Sequence, residues 1–291
     1  MRQKPVSPHI KAGHQLAGIP EIREGQSLEL LKELHILTRD GKLNQDSRRK
    51  LKQVYHLYQF IEPLLQEARH AHPGITLVDH GAGKSYLGFI LYDLFFKHHE
   101  STSRIYGIET REELVAHSRE LASRLGFGGM SFLNMPVAES ITSSQLPATV
   151  DMVSALHACD TATDDAINFA LKKQARFIVL VPCCQAEVAA ALRKNKGREL
   201  AKNVLTELWR HPIHTREFGS HVTNVLRCLQ LEAHGYQVTV TELVGWEHSM
   251  KNELIIAVYK DLPRKRAAER LNELLQALGL EELSARFFVI P

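Results

Sequence analysis

The sequence predicts an α/β protein: a mostly parallel sheet of seven strands, covered by helices on both faces and preceded by a helical extension. Two observations predict it. From Ile75 onward, short runs rich in β-branched residues alternate with helical stretches, the rhythm of a parallel sheet with crossover helices. Before Ile75 the apolar residues recur only at helical spacing.

Residues 1 to 26 are mixed, contain Pro and Gly, and show no period. A helix is expected from Ser27 to Leu37, then a turn through TRDGKLNQDS. A second helix starts near Ser47 and carries Leu51, Val54, Tyr58, Ile61 and Leu65 on one face, with Pro63 expected to kink or restart it. HPG at 72–74 closes this part. The strands that follow are expected at Ile75–Asp79, Arg104–Glu109, Met130–Leu133, Val150–Leu156, Phe177–Val181, Tyr236–Leu243 and Leu254–Tyr259. Helices are expected between them at 84–98, 111–124, 163–174, 185–194 and 222–234. The short connection VGWEHSMKN implies that the last two strands run antiparallel. The expected organisation is an extension over 1–74, an α/β domain over 75–261 and a helical tail over 262–291.

Apolar residues make up 44% and charged residues 24% of the 291, the balance of a globular protein. No apolar run approaches the ~20 residues of a membrane helix, and MRQKPVSPHIKAGHQ lacks the apolar core of a signal peptide. Four cysteines do not make a disulfide framework, so a reducing cytoplasm is the expected setting. The net charge of +3 does not by itself call for nucleic acid.

The stretch VDHGAGKSYLG, residues 78–88, follows the first strand and opens a helix. It fails as a phosphate-binding G-x-x-x-x-G-K-[ST] loop, because Val78 stands where the first glycine belongs. It fails as a dinucleotide G-x-G-x-x-G turn, because Tyr86 replaces the third glycine. What remains is Asp79-x-Gly81-x-Gly83. An acid there repels a pyrophosphate but suits a cation. S-adenosylmethionine (SAM) carries a sulfonium and an ammonium and no phosphate. Glu109 ends the second strand, 109 − 83 = 26 residues past the turn, close to the ~20 at which dinucleotide folds place the acid that holds both ribose hydroxyls.

Together, VDHGAGKSYLGFIL, IYGIET, VSALHACDTATDDAI and VLVPCCQ resemble the class I SAM-dependent methyltransferases. They are most similar to a subgroup with D-x-G-[AC]-G-K-[GS]-x-L, L-H-A-C and C-C motifs, which includes eukaryotic methyltransferase-like proteins and a tRNA 2′-O-methyltransferase family. The resemblance runs from about Leu77 to Val258. It implies a Rossmann-like sheet of order 3-2-1-4-5-7-6 with strand seven antiparallel. It further implies that Asp79, Gly81, Ala82 and Gly83 hold the methionine part of SAM and Glu109 the ribose. Asn134 and Val137 would line the adenine, although the usual acid there is missing. Leu156 and His157 would lie beside the reactive methyl group.

Several residues carry two or more readings. Lys84 and Ser85 are either anion ligands, Lys84 for the SAM carboxylate, or a solvated first helical turn. His157 is a general base or a packing residue, and Asp160 a catalytic or a capping residue. Cys183 and Cys184 are packing groups, a nucleophile, or zinc ligands together with His157 and Cys159; packing is the expectation, with no metal. Arg48, Arg49, Lys50 and Lys52 sit in the first turns of a helix, where cations oppose the helix dipole by a few tenths of a kcal/mol each, and so mark either an anion site or a solvated face. Residues 193–217 carry seven cations, among them Arg198, Arg210 and Arg216, with Trp209 and His214 interleaved; this suits phosphates and an unstacked base, or merely an exposed helix. The expectation is methyl transfer to an oxygen or nitrogen of RNA, tRNA or rRNA. The alternatives are a small-molecule or protein methyltransferase and a non-catalytic SAM- or RNA-binding module. The absence of [DNS]-P-P-[YF] after strand four argues against amino-group chemistry on adenine.

Overall fold

The computed structural model describes residues 21–99, 102–156, 158–182, 185–199, 204–243 and 253–288, the side chains of 196–199 excepted. Seven strands, β1 (Thr76–His80), β2 (Arg104–Glu109), β3 (Met130–Asn134), β4 (Met152–Ala155), β5 (Phe177–Leu180), β6 (Tyr236–Glu242) and β7 (Glu253–Tyr259), form one sheet of order β3-β2-β1-β4-β5-β7-β6. The pairs from β3 to β5 are parallel, and β7 is antiparallel to both β5 and β6. β4 is shorter than Val150–Leu156; the other strand ends lie within a residue of expectation.

Side chains alternate across the sheet. Leu77, Met152, Phe177, Val179, Leu254 and Ile256 join one apolar core with α1 (Leu28–Glu33), α2 (Gln45–Ala71), α3 (Tyr86–Leu94) and α4 (Glu112–Leu125). Val78, Val153, Ile178, Leu180, Ile255 and Ala257 join a second core with α5 (Val137–Ser140) and α6 (Thr161–Lys172). α7 (Glu187–Glu199), α8 (Pro212–Glu232) and α9 (Lys265–Ala277) share a third cluster around Trp209.

The local chemistry explains most boundaries. Ser27 caps α1 by accepting from Leu30 N–H, and the helix is shorter than Ser27–Leu37 because His35 takes a left-handed φ of 54°. Asn44 caps α2 through Ser47 N–H at 2.8 Å. α2 runs on through Pro63 rather than restarting there. Pro63 and Gln59, whose carbonyl loses its i+4 donor, both lie on the exposed face of the helix. α3 starts at Tyr86, not 84, because Ser85 takes φ 51° at the end of the glycine turn. α8 begins ten residues before the expected 222, with Pro212 in its first turn. Among the described residues no helix is long and apolar enough to cross a membrane.

Candidate active site

The carboxyl ends of the parallel strands carry the residues singled out by sequence. Gly81 and Gly83 both take left-handed φ, +61° and +59°. A Cβ at Gly81 would come within 3.0 Å of the Ala158 backbone, so the loops after β1 and β4 approach closely only because that position is glycine. Ala82 N–H donates to Ile108 O at 3.0 Å, and Gly83 N–H donates to Glu109 Oε2 at 2.8 Å. The turn after β1 is thus fastened to the end of β2.

Glu109 is 7% exposed. Its Oε1 accepts from Thr110 N–H, Arg111 N–H and Arg111 Nε, each at 3.0 Å. Burial pushes its pKa up, but the Arg111 guanidinium and the N–H groups of Arg111 and Gly83 outweigh it, and the carboxyl sits at about 2. Asn134 Nδ2 donates to Glu109 O and Thr110 O at 3.1 and 2.8 Å, tying β3 to the same corner. Val137 is buried at the start of α5, two residues after Met135, whose N–H donates to Glu109 O. Sequence reading overlooked Arg111; a cation two residues past the strand-ending acid was its signal.

Asp79 is 3% exposed and pairs in register with Ser154, whose hydroxyl donates to Asp79 Oδ1 at 2.7 Å. Burial dominates that one hydrogen bond and pushes the carboxyl up to about 7. A lone serine among apolar residues in MVSAL was the signal for this partner. His80, the next residue, faces the other side of the sheet: it stacks edge-on against Phe169, contacts Ser140 Oγ at 3.2 Å, and is held down to about 3 by burial. Lys84 is exposed, whereas Ser85 is fully buried, so the solvated-turn reading fails for Ser85. The glycine turn folds Ser85 under α3, close to the Gly88 backbone.

Beyond β4, Leu156 is half-buried and His157 lies outside the described residues, as do Cys183 and Cys184; Cys159 is exposed. Asp160 has a strained backbone, φ 51° and ψ −123°. Its Oδ1 accepts from Ala186 N–H at 2.9 Å and Glu187 N–H at 3.4 Å, joining the β4 loop to the start of α7. Its carbonyl accepts from Arg227 Nη2 at 2.9 Å. Arg227 is fully buried and pairs with Asp164 through Nε and Nη2 at 2.7 and 2.8 Å. Asn224 Oδ1 accepts from Arg227 Nη1 and Gln185 Nε2, and Asn224 Nδ2 donates to Glu253. This buried network, unseen from sequence, braces the loops after β4 and β5 against α6, α8 and β7.

The expected nucleic-acid cations are less uniform. Arg48 pairs with Glu21 and Lys50 with Asp46, both at 2.9 Å; Arg210 pairs with Glu207 at 3.0 Å and Arg216 with Glu217 at 2.9 Å. Arg49 and Lys52 are exposed. The Arg198 side chain lies outside the described residues. His214 is exposed and meets His211 edge-on at 5.4 Å. Trp209 is no stacking platform: it is 1% exposed and stacked on Phe218 at 5.0 Å, because 204–209 folds as a short helix that turns Thr206 and Trp209 inward and leaves Val204, Leu205 and Leu208 exposed.

The sheet order, with a glycine turn after the first strand and an acid ending the second, is the one that the resemblance to class I methyltransferases implies. The profile of the family described as Methyltransferase domain matches residues 49–191. The chain is 25% identical over 238 residues to a glutathione S-transferase C-terminal domain-containing protein of Bos taurus, a match covering 76% of this chain and 35% of that one. The namesake of Xenopus laevis is 24% identical over 235 residues, covering 75% and 35%. The chain thus spans about a third of the length of the curated relatives it matches. Among solved structures, magnesium protoporphyrin IX methyltransferase from Synechocystis PCC 6803 with bound SAM is 14% identical, with a TM-score of 0.43 over 80% of this chain and 90% of that one. An rRNA methylase from Streptococcus thermophilus is 9% identical, with a TM-score of 0.39 over 64% and 87%.

Proposed function

We propose that this protein is a SAM-dependent methyltransferase that holds SAM across the carboxyl ends of β1, β2 and β3 and transfers its methyl group to an oxygen or nitrogen of RNA. The observation that carries the cofactor half is the Gly83–Glu109 contact, which brings the glycine turn and the strand-ending acid into one cradle. Asp79, Gly81, Ala82 and Gly83 take the methionine moiety, with Lys84 for its carboxylate. Glu109 takes the ribose, and Asn134 and Val137 border the adenine. When bound, SAM supplies an electrophilic methyl group on a sulfonium that leaves as a neutral thioether. The chain's own residues then position the acceptor beside Leu156. His157 accepts the acceptor's proton, and Asp160 fixes the loop that carries that histidine.

The RNA half is supported by the cations at the start of α2 and α8. Each helix leads by a short link into the amino end of a strand, β1 or β6, so its N-terminal part points back toward the cradle's edge of the sheet. A second reading, a small-molecule acceptor, draws support from the acidic partners of Arg48, Lys50, Arg210 and Arg216. Incubation with methyl-tritiated SAM and a cell extract, followed by separation of RNA from small solutes, tests both. Label in RNA nucleosides is expected; label only among small solutes would replace the first reading by the second.

A further inference from the structure

A cavity of about 320 Å³ opens where β4, β5 and β6 end. Leu156, Val181 and Leu243, each one residue past its strand, form one wall. The opposite wall is α2, through Lys50, Gln53, Val54 and Leu57. Tyr86, the first residue of α3, lines it too and links it to the glycine turn three residues earlier. On the sheet below, Asp79 and Ser154 share the face to which Leu156 belongs.

We propose that this cavity is the acceptor site and takes a nucleobase with its adjoining phosphate, so that the helical extension before the sheet reads the substrate. The inference rests on the methyl-transfer reading above. Three polar groups interrupt an otherwise apolar lining. The Gln53 amide offers a donor and an acceptor together, the pair needed by a base edge. Tyr86 is half-buried, and burial raises its phenol above the ordinary value, so it stays a donor while its ring offers a flat stacking surface. Neither side chain has a hydrogen-bond partner among the described residues. Lys50 stands next to them, held by Asp46 at 2.9 Å with 43% of its side chain exposed. That is a weak surface pair that a phosphate can displace. A plain aliphatic chain would use none of these polar groups. A flat heterocycle with hydrogen-bonding edges and a nearby anion uses all three.

The test measures binding of the four nucleoside 5′-monophosphates, and of a small-RNA preparation, to the full chain. Two variants accompany the parent: Val54→Trp, which fills the cavity, and Gln53→Leu, which removes the amide from an exposed position that does not support the fold. SAM affinity is measured on the same samples. The expected result is nucleotide or RNA binding by the parent, weakened about tenfold or more in each folded variant, as for a lost hydrogen bond of ~1.4 kcal/mol, with SAM affinity unchanged. Binding of monophosphates points to a free nucleotide as the source, and binding of RNA alone to a base within a strand. Equal binding by parent and variants, or no nucleotide or RNA binding by a parent that binds SAM, overturns the proposal. Failure of the parent to bind SAM strikes the cofactor reading instead and leaves the cavity to be judged by nucleotide binding alone.

Discussion

The backbone N–H of Gly83 lies 2.8 Å from Glu109 Oε2, although the two residues are 26 apart in sequence. One carboxylate oxygen therefore fixes the turn after β1, while the other collects the N–H groups that begin the next loop. The protein's own N–H groups thus hold the acid between the two loops.

Glu109→Ala is expected to weaken SAM binding by about 1.5–3 kcal/mol, the worth of a charged hydrogen-bond acceptor. Calorimetry reads it directly. An unchanged affinity in a folded variant would remove Glu109 from the cradle.

Asp79 and His80 carry opposite pH dependences. The folded chain keeps the Asp79 proton to about 7, whereas an unfolded chain releases it near 3.8, so this group's contribution is full below about 4 and lost as pH rises to about 7. For His80 the folded value is about 3 against 6.5, so its contribution is present above 6.5 and lost as pH falls toward 3. Denaturant titrations should show Asp79→Asn gaining on the parent as pH rises through that first window. His80→Gln should gain as pH falls through the second. A pH-independent difference for either variant contradicts the burial argument for that residue.

Removing Arg227 should separate stability from turnover. Arg227→Met leaves Asp164 buried without its partner, a loss of about 3–5 kcal/mol. Adding Asp164→Leu should restore most of the stability, because an apolar pair replaces the ion pair. Turnover should stay low in the double variant, since the Asp160 carbonyl has lost its donor. Recovery of kcat together with stability would assign Arg227 to the fold alone.

If the start of α2 meets phosphates, Arg49 and Lys52 are the cations to reverse. Changing both to Glu should weaken RNA binding and flatten the plot of log K against log salt by about 1.4, at ~0.7 per phosphate contact on a single strand. SAM affinity serves as the control and should not move. A salt slope identical to that of the parent excludes these two side chains from the backbone contact.

The strands were legible because each is a compact run and the chain alternates helix and strand; their order came from the resemblance to class I methyltransferases. The positions of Asp79, Gly81, Gly83 and Glu109 at strand ends were legible from the same runs, since a local pattern reveals them. The start of α8 was missed because polar residues from 212 to 221 hide the apolar period, although Pro212 marked it. Arg227 and Asp164 are 63 residues apart, and a partner at that distance leaves no local trace. Trp209 read as a platform because an aromatic among cations looks the same whether it faces water or α8. The cavity was beyond reach altogether, since its walls come from residues as far apart as Leu34 and Leu243.

The shared core of α2 and the sheet also sets an order of events in time. Leu51, Val54, Ile61 and Leu65 rest in the cluster that contains Leu254 and Ile256 of β7. Leu254 leaves the ribosome 254 − 71 = 183 residues after α2 is complete. At about 5–20 residues per second that is a wait of roughly 10–40 s. Throughout it, the apolar stripe of a 27-residue helix has only part of its final cover. Slowing translation past β5 should lengthen that wait and raise the share of nascent chains lost to aggregation.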